Sequence, residues 1–261
     1  MPEPPAGARI AVTREVSPAM ERCELTHLQR APIDIGRARK QHQAYEHALR
    51  ALGCRVETLP EEPELPDSVF VEDTAIVLDE VAIITRPGAA SRRAETSSVA
   101  GALARYRKLL HIEAPGTLDG GDVLRVDRIL YVGVSARSDR RAIEQLSALL
   151  PPLGYRVQPV AVHGCLHLKS AVTRLADDVL LLNPRWVERE SFAGMHCIEV
   201  DEGEPFGANV LMIDNCAIYS SSHPRTAQRL RKHGIRVHTL DMSETEKAEG
   251  GITCCSLLFA Q

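Results

Sequence analysis

Two residues suited to covalent chemistry lie far apart in the chain, a cysteine near the C-terminus and a histidine near the middle. Cys254 follows two glycines in GGITCCSLLFAQ and precedes an apolar run, so a thiol stands where a turn meets a strand. Cys255 is adjacent, and because a strand alternates its faces, only one of the two thiols can point to a given side. His167 lies in LHLKS. A thiol with an imidazole as acid and base is a pairing used in nucleophilic catalysis.

Other polar residues stand at similar positions before apolar runs. Glu72 and Asp73 lie in VEDTA, Asp119 and Asp122 lie in LDGGDV, and Asn209 lies in GANV. In a repeated fold, equivalent positions converge on one centre, and these side chains would join the thiol and the imidazole there. Several carboxylates suit a cationic substrate, above all a guanidinium, whose planar fork pairs with carboxylates in a bidentate way.

Each of these residues also has a structural interpretation. A lone cysteine is often a small buried apolar residue, and Asp122 could brace the adjacent glycine turn. A zinc site is another alternative, because His163, Cys165 and His167 would share one face of a strand. The usual spacing of structural zinc ligands is absent, so we expect no native metal site, although adventitious zinc could still bind Cys254.

The elements that would position these residues repeat along the chain. Paired apolar runs predict hairpins at 75–86, 122–134, 170–183 and 209–220. Each hairpin is followed by a predicted helix, near 91–110, 139–150, 184–193 and 224–233, and then by a strand, at 111–114, 155–162, 196–200 and 235–240. A recurrence at roughly 40 to 50 residues is typical of internal-repeat architectures.

A fifth unit is divided between the chain ends. A strand at 9–15 would pair with the C-terminal apolar run, and Asp34 caps a helix that continues through Leu52 and stops at Gly53. The strand CRVETLP follows. Pairing the two ends closes a ring of five ββαβ units, so we predict an α/β ring in one domain spanning 1–261.

A conventional doubly wound sheet also alternates strands and helices. It explains the paired strands poorly, because hairpins are antiparallel and a parallel sheet does not need them. Neither common glycine-rich phosphate loop occurs in the sequence, which also disfavours a nucleotide-binding fold.

Composition excludes several classes of protein. The 261 residues are 44% hydrophobic and 25% charged, with a net charge of -4 and no long basic run, so we expect no nucleic-acid partner. No apolar stretch of about 18 residues occurs, and the proline-rich start MPEPPAGAR lacks the apolar core of a signal peptide, so we expect no membrane partner. Seven cysteines, two of them adjacent, do not form a disulfide framework. These features favour reduced thiols and a cytoplasmic location.

Six strings together resemble one known family: PDSVFVEDTA, ITRPGAASRR, LDGGDVL, HLKS, MSETEKAEGG and ITCCS. They closely resemble dimethylarginine dimethylaminohydrolases of the guanidine-modifying superfamily, in order from about Leu25 to the C-terminus. The resemblance implies a five-bladed α/β-propeller that hydrolyses Nω-methylated arginine (asymmetric dimethylarginine or monomethylarginine) to L-citrulline and dimethylamine or methylamine. It further implies no cofactor, a monomer or homodimer, and a place in arginine metabolism and nitric oxide regulation.

The resemblance also implies a role for each matching residue. Cys254 matches the nucleophile that forms a covalent thiouronium, His167 the general acid and base, and Asp119 the acidic residue that supports the histidine. The remaining matches concern the substrate. They are the carboxylates Asp67, Glu72 and Asp73, the arginines Arg92 and Arg137 at the amino-acid end, Leu25 on a covering loop, and the contacts Ala248 and Glu249. Glu249 stands where the family often has aspartate.

Two other functions remain open for such a site. An arginine deiminase carries an extra helical insertion for which this chain has no room, and agmatine lacks the α-carboxylate that Arg92 and Arg137 would bind. A non-catalytic relative that only binds ligands is the second alternative. The presence of Cys254, His167 and Asp119 argues against it.

Overall fold

The computed structural model describes residues 9–261, and these residues form five three-stranded sheets joined by short helices. The proline-rich start lies outside the described residues. In every sheet the middle strand is antiparallel to one neighbour and parallel to the other. Each unit is therefore a hairpin followed by a crossover to a parallel strand, as predicted.

The first unit contains both ends of the described chain. It consists of β1 (Arg9–Arg14), α1 (Ile35–Ala51), β2 (Cys54–Leu59) and the C-terminal β15 (Leu257–Ala260). β1 pairs antiparallel with β15, with Arg9 opposite Ala260, and parallel with β2. The predicted pairing of the two ends is confirmed.

The other four units follow in chain order. The second has β3 (Ala75–Val77), β4 (Val81–Ile84), α2 (Thr96–Leu103) and β5 (Lys108–His111); the third has β6 (Val123–Val126), β7 (Ile129–Val134), α3 (Arg140–Leu149) and β8 (Arg156–Ala161). The fourth has α4 (Leu168–Ala171), β9 (Val172–Ala176), β10 (Val179–Leu182) and β11 (His196–Glu199). The fifth has β12 (Leu211–Ile213), β13 (Cys216–Ser220), α5 (Pro224–Lys232) and β14 (Arg236–Leu240), and α6 (Ser243–Glu246) follows it.

Five apolar cores lie between successive units and close the ring. Strand β1 illustrates the arrangement, because Ile10 and Val12 pack against the second unit while Ala11 packs against the fifth. Equivalent cores join the second unit to the third, the third to the fourth and the fourth to the fifth. The middle strand of each sheet is thus buried on both faces, which explains the uninterrupted apolar runs in the sequence. The fold is the predicted five-bladed α/β-propeller.

Helix α1 begins and ends almost where the sequence predicts. The Asp34 carboxylate accepts a hydrogen bond from the backbone N–H of Arg37 at 3.0 Å, which satisfies an otherwise unpaired donor at the helix start. Gly53 follows the helix with φ of 86°, a left-handed conformation that glycine adopts without steric cost. The buried Tyr45 hydroxyl is 2.7 Å from Ser256 Oγ, which links α1 to the C-terminal segment.

Two predicted helices are too long. The helix expected at 91–110 is a 3-10 helix at Ala90–Glu95 followed by α2, because Leu109 and Leu110 extend the sheet beside β4 instead. The helix expected at 184–193 is a single 3-10 turn at Arg189–Phe192 whose Phe192 packs between the third and fourth units. Among residues 9–261, no helix combines the length and apolar character needed to span a bilayer.

Candidate active site

Cys254 lies in a 3-10 turn, Thr253–Cys255, that directly precedes β15. Its thiol is partly buried, and the Gly251 N–H donates a hydrogen bond to Sγ at 3.3 Å. The neighbouring Cys255 is fully buried in the core between the first and fifth units. The two adjacent thiols therefore face different environments, as the sequence predicted, although the segment is a helical turn rather than a strand.

The environment of Cys254 favours the neutral thiol. Burial raises its pKa well above the usual value, and the charges of Glu72 and Asp73 raise it further. A cation placed beside these carboxylates would reverse this effect, because it would stabilise the thiolate.

His167 immediately precedes α4 and is almost completely buried. Its Nε2 is 3.0 Å from Asp119 Oδ2, and its Nδ1 is 3.7 Å from Asp73 Oδ1. Burial by itself lowers the pKa of the imidazole, but the Asp73 charge and the hydrogen bond with Asp119 outweigh burial and raise the pKa to about 9. His167 is therefore an imidazolium at neutral pH, with protons on both ring nitrogens.

Asp73 connects the histidine to a buried arginine. Its carboxylate accepts hydrogen bonds from Arg92 Nη1 at 2.6 Å and from the Gly121 N–H at 3.0 Å. Burial raises the pKa of Asp73, but the positive charges of His167 and Arg92 outweigh it and lower the pKa to about 2. A side chain at Gly121 would collide with both His167 and Asp73. The second glycine of LDGGDV thus allows the carboxylate and the imidazole to approach each other.

Arg92 is committed to protein groups. It donates to Glu95 at 2.9 Å, to Asp73 and to the carbonyl oxygens of Asp67 and Phe70, and it is only 3% exposed. This geometry does not support the expectation that Arg92 holds the amino-acid end of a substrate. Sequence reasoning missed its partner Glu95, although that residue lies three positions further on, the usual distance for a side-chain pair on a helical turn.

Arg137, in contrast, keeps a free donor. Its Nη2 donates to Thr26 Oγ1 at 3.3 Å, whereas Nη1 lies 3.8 Å from Asp119 Oδ2. Within residues 9–261, this buried Nη1 has no hydrogen-bond partner. A buried guanidinium nitrogen without a partner is suited to receive an anionic group of a ligand.

Glu72 lies behind the cysteine turn and does not line the cavity in front of it. It accepts hydrogen bonds from Lys169 Nζ at 2.5 Å and from Thr253 Oγ1 at 2.7 Å. Lys169 was not singled out from the sequence, although it is part of the HLKS string that contains His167. The Glu72 carboxylate therefore helps to hold the turn that carries Cys254.

A loop at 24–28 covers the site. The Glu24 N–H donates to the Asp67 carboxylate at 3.1 Å, and burial raises the pKa of Asp67. The side chain of Leu25 packs on the core between the first and fifth units. Leu25 thus anchors the loop, while the preceding Glu24 lines the cavity.

Glu249 holds the other end of this loop. Its carboxylate accepts hydrogen bonds from the backbone N–H groups of Thr26 at 3.1 Å and of His27 and Leu28 at 2.5 Å. Glu249 also has φ of 57°, a conformation that few non-glycine residues adopt. The Glu249 side chain therefore fixes the backbone of the loop at residues 26–28.

Most of the predicted residues line one narrow cavity. Those that line it are Cys254, His167, Asp67, Asp73, Arg92, Arg137, Ala248 and Glu249. Asp119, Glu72 and Leu25 lie behind this lining. Four further residues complete the wall: Glu24, Phe70, Leu166 and Gly250. A side chain at Gly250 would collide with the Phe70 ring, so this glycine preserves the cavity.

The zinc alternative depended on His163, Cys165 and His167 sharing one face of a strand. The segment that contains them is not a strand, and His163 is exposed while Cys165 is buried. The geometric argument for zinc at these three residues is therefore wrong.

The chain resembles known proteins in both sequence and fold. A family model described as "N,N dimethylarginine dimethylhydrolase, eukaryotic" matches residues 24–180. An N(G),N(G)-dimethylarginine dimethylaminohydrolase of Streptomyces coelicolor is 41% identical over 260 residues, which cover 95% of each chain. The chain belongs to the dimethylarginine dimethylaminohydrolase family.

Solved dimethylarginine dimethylaminohydrolases share its architecture. A structure of the Pseudomonas aeruginosa protein superposes with a TM-score of 0.93 at 34% identity, covering 97% of this chain and 100% of that one. A second structure of a dimethylarginine dimethylaminohydrolase gives 0.91 at 34% identity, covering 96% and 99%. The similarity therefore includes all five units.

Proposed function

We propose that the protein hydrolyses Nω-methylated L-arginine to L-citrulline and dimethylamine or methylamine through a covalent thiouronium on Cys254. The observation that carries this proposal is the cavity in which Cys254 and a protonated His167 stand with the carboxylates of Asp67 and Asp73. Family membership supports it. So do the two solved relatives, one of which is a complex with citrulline and the other an adduct with S-methyl-L-thiocitrulline.

Substrate binding prepares the nucleophile. A methylated guanidinium is a resonance-stabilised cation and a poor electrophile, so Asp73 must hold its central carbon in line with the thiol. The cation also offsets the carboxylate charges that keep Cys254 protonated. The partly exposed Cys254 thiol therefore releases its proton to solvent as the substrate binds, since His167 is already protonated.

The reaction then proceeds in two halves. The thiolate attacks the central carbon, and the bond to the methylated nitrogen breaks as the His167 imidazolium donates a proton to the departing amine. The product of this half is a thiouronium on Cys254. Neutral His167 then removes one proton from water, whose oxygen attacks the same carbon. The C–S bond breaks with its electron pair on sulfur, which takes up the second water proton, so that citrulline leaves and the Cys254 thiol is restored. Asp119 stabilises the imidazolium at the start and end of the cycle.

The amino-acid end of the substrate is proposed to bind Arg137. Its buried Nη1 is unpartnered within the described chain and can take the α-carboxylate, whereas the Arg92 donors are already engaged. Arg92 then acts by fixing Asp73. Asp67, Ala248 and Glu249 complete the proposed binding surface beneath the Leu25 loop.

All groups in this scheme come from one chain, so the proposal requires no second subunit, whether the protein is a monomer or a homodimer. We propose that the 261 residues act as one catalytic domain in the cytoplasm. The free state of all seven cysteines supports a reducing compartment.

The test is product formation by the purified protein, measured as citrulline from asymmetric dimethylarginine, monomethylarginine and arginine and as N-carbamoylputrescine from agmatine. We expect turnover of the two methylated substrates. Turnover of arginine or agmatine alone would assign the site to a deiminase, and no turnover of any substrate would favour a ligand-binding relative.

A further inference from the structure

One of the repeated positions has no part in the proposed reaction. Asn209, in GANV, precedes β12 at the start of the fifth unit and is 9% exposed. Its position corresponds to those that supply Asp73, Asp119, His167 and Cys254 in the other units. A buried polar side chain at such a position requires partners, and the identity of the partners indicates its role.

The Asn209 amide is bonded to the segments that carry both the cysteine and the histidine. Its Oδ1 accepts a hydrogen bond from the Thr253 N–H at 3.0 Å, and its Nδ2 donates to Thr253 Oγ1 at 3.0 Å. Nδ2 also donates to the carbonyl oxygen of Lys169 at 2.9 Å. Thr253 directly precedes Cys254, and Lys169 lies in α4, which begins directly after His167.

These contacts form part of a closed ring of hydrogen bonds. Thr253 Oγ1 donates to Glu72 Oε2 at 2.7 Å, and Lys169 Nζ donates to Glu72 Oε1 at 2.5 Å. The ring therefore runs through Asn209, Thr253, Glu72 and Lys169. Bonds in such a buried network depend on one another, so loss of one member loosens the rest.

We infer that Asn209 is a positioning residue that fixes the separation and orientation of Cys254 and His167. This inference rests on the proposed function of the site. A misplacement of about 1 Å in a reacting pair can lower a rate by about 100-fold, so a tie between the two segments has a large effect on the chemical step.

The arrangement is specific for asparagine. One planar group must accept from one N–H and donate to two oxygens, which an aspartate cannot do because it lacks donors. An aspartate would also place a second negative charge beside Glu72. The lack of a side chain at Gly251 leaves room for the Asn209 amide, because a Cβ at this position would lie 2.5 Å from Asn209 Oδ1.

The first test compares Asn209→Ala and Asn209→Asp with a matched asparagine. Asn183 is 2% exposed, donates to the Pro205 carbonyl oxygen at 2.9 Å and accepts from the Arg185 N–H at 3.0 Å, away from the cysteine turn. We expect both Asn209 variants to lower kcat by about 10- to 100-fold with KM changed less than about threefold, because the substrate contacts stay in place. Asn183→Ala should lower the melting temperature and leave kcat unchanged.

A second readout does not depend on turnover. The rate at which 2-chloroacetamidine alkylates Cys254, followed by mass spectrometry of the cysteine peptide, should fall in both Asn209 variants and stay constant in Asn183→Ala. The inference is overturned if both variants keep kcat and alkylation within about threefold of wild type, if Asn183→Ala loses as much activity, or if only KM changes. A wild type that alkylates but turns over no methylated arginine would refute the proposed function, while the alkylation ratio would still decide the role of Asn209.

Discussion

The imidazole Nε2 of His167 lies 3.0 Å from Oδ2 of Asp119, a carboxylate that is completely shielded from solvent. This contact, with the charge of Asp73 on the other side of the ring, keeps the histidine protonated at neutral pH. Cys254 is held as a neutral thiol in the same cavity. The resting site thus contains an acid ready to protonate an amine and a nucleophile that requires a bound cation for ionisation.

Removal of the Asp119 charge should reduce the fraction of His167 that is protonated. Asp119→Asn is expected to lower the pKa of His167 from about 9 and to move the alkaline limb of the kcat profile to lower pH. We also expect kcat to fall by about 100-fold or more, since a positioned acid contributes about that much. The measurement is kcat against pH, with the exposed Asp177→Asn as the control. An unchanged alkaline limb would mean that Asp119 does not set the protonation of His167.

The raised pKa of His167 predicts how the stability of the folded protein depends on pH. The pKa of His167 is raised from 6.5 to about 9 in the folded protein, so its contribution to stability is fully present below pH 6.5 and is lost as the pH rises through about 9. The difference in unfolding free energy between wild type and His167→Asn should therefore shrink over this window. Urea unfolding at several pH values measures it, and a constant difference would contradict the raised pKa.

Because Cys254 is a neutral thiol, we expect a cationic alkylating reagent to label it faster than a neutral one. Neutral iodoacetamide should modify this thiol slowly at neutral pH and faster as the pH rises, because burial and the charges of Glu72 and Asp73 raise its pKa. The cationic 2-chloroacetamidine should react much faster at neutral pH, since it supplies the missing positive charge. Peptide mass spectrometry gives both rates, with Cys254→Ser as the blank. Equal rates for the two reagents would exclude ionisation induced by the cation.

Arg92 should matter for stability more than for substrate affinity. Arg92→Lys keeps the positive charge but loses the fork that bonds Glu95 and Asp73 together, and loss of a buried hydrogen bond to a charged group costs about 1.5 to 3 kcal/mol of unfolding free energy. The neighbouring Arg93, partly exposed and bonded to the Pro87 carbonyl oxygen, offers the control Arg93→Lys, expected within about 0.5 kcal/mol of wild type. Denaturant unfolding compares the two. Wild-type stability of the Arg92→Lys protein together with a raised KM would instead indicate that Arg92 binds the substrate.

The repeat of hairpins and helices could be predicted because the middle strand of each sheet is buried on both faces, which leaves apolar runs in the sequence. Local signals also located α1, where Asp34 and Gly53 mark the two ends. The end of α2 could not be predicted from local pattern. Leu109 and Leu110 suit a helix as well as a strand, and only pairing with β4 decides between them.

The site residues could be found from motifs, but their partners could not. The string ITRPGAASRR identifies Arg92, yet its pairing with Asp73 depends on how two segments meet in the folded chain. Glu249 was expected at the substrate, and its bonds to the loop at 26–28 join residues more than 220 positions apart. Such long-range contacts leave no periodic signal in the sequence.

The central claim is that Cys254 carries the reaction, and the adjacent cysteine provides a matched test. Citrulline release from asymmetric dimethylarginine should be measured for wild type, Cys254→Ser and Cys255→Ser, with mass spectrometry of the acid-quenched protein. We predict that Cys254→Ser releases no citrulline and that wild type carries a covalent adduct on the Cys254 peptide. Cys255, buried beside the Gly251 carbonyl oxygen, should tolerate serine with activity within about tenfold of wild type. Turnover that survives in Cys254→Ser, or an adduct on any other residue, would contradict the proposed mechanism.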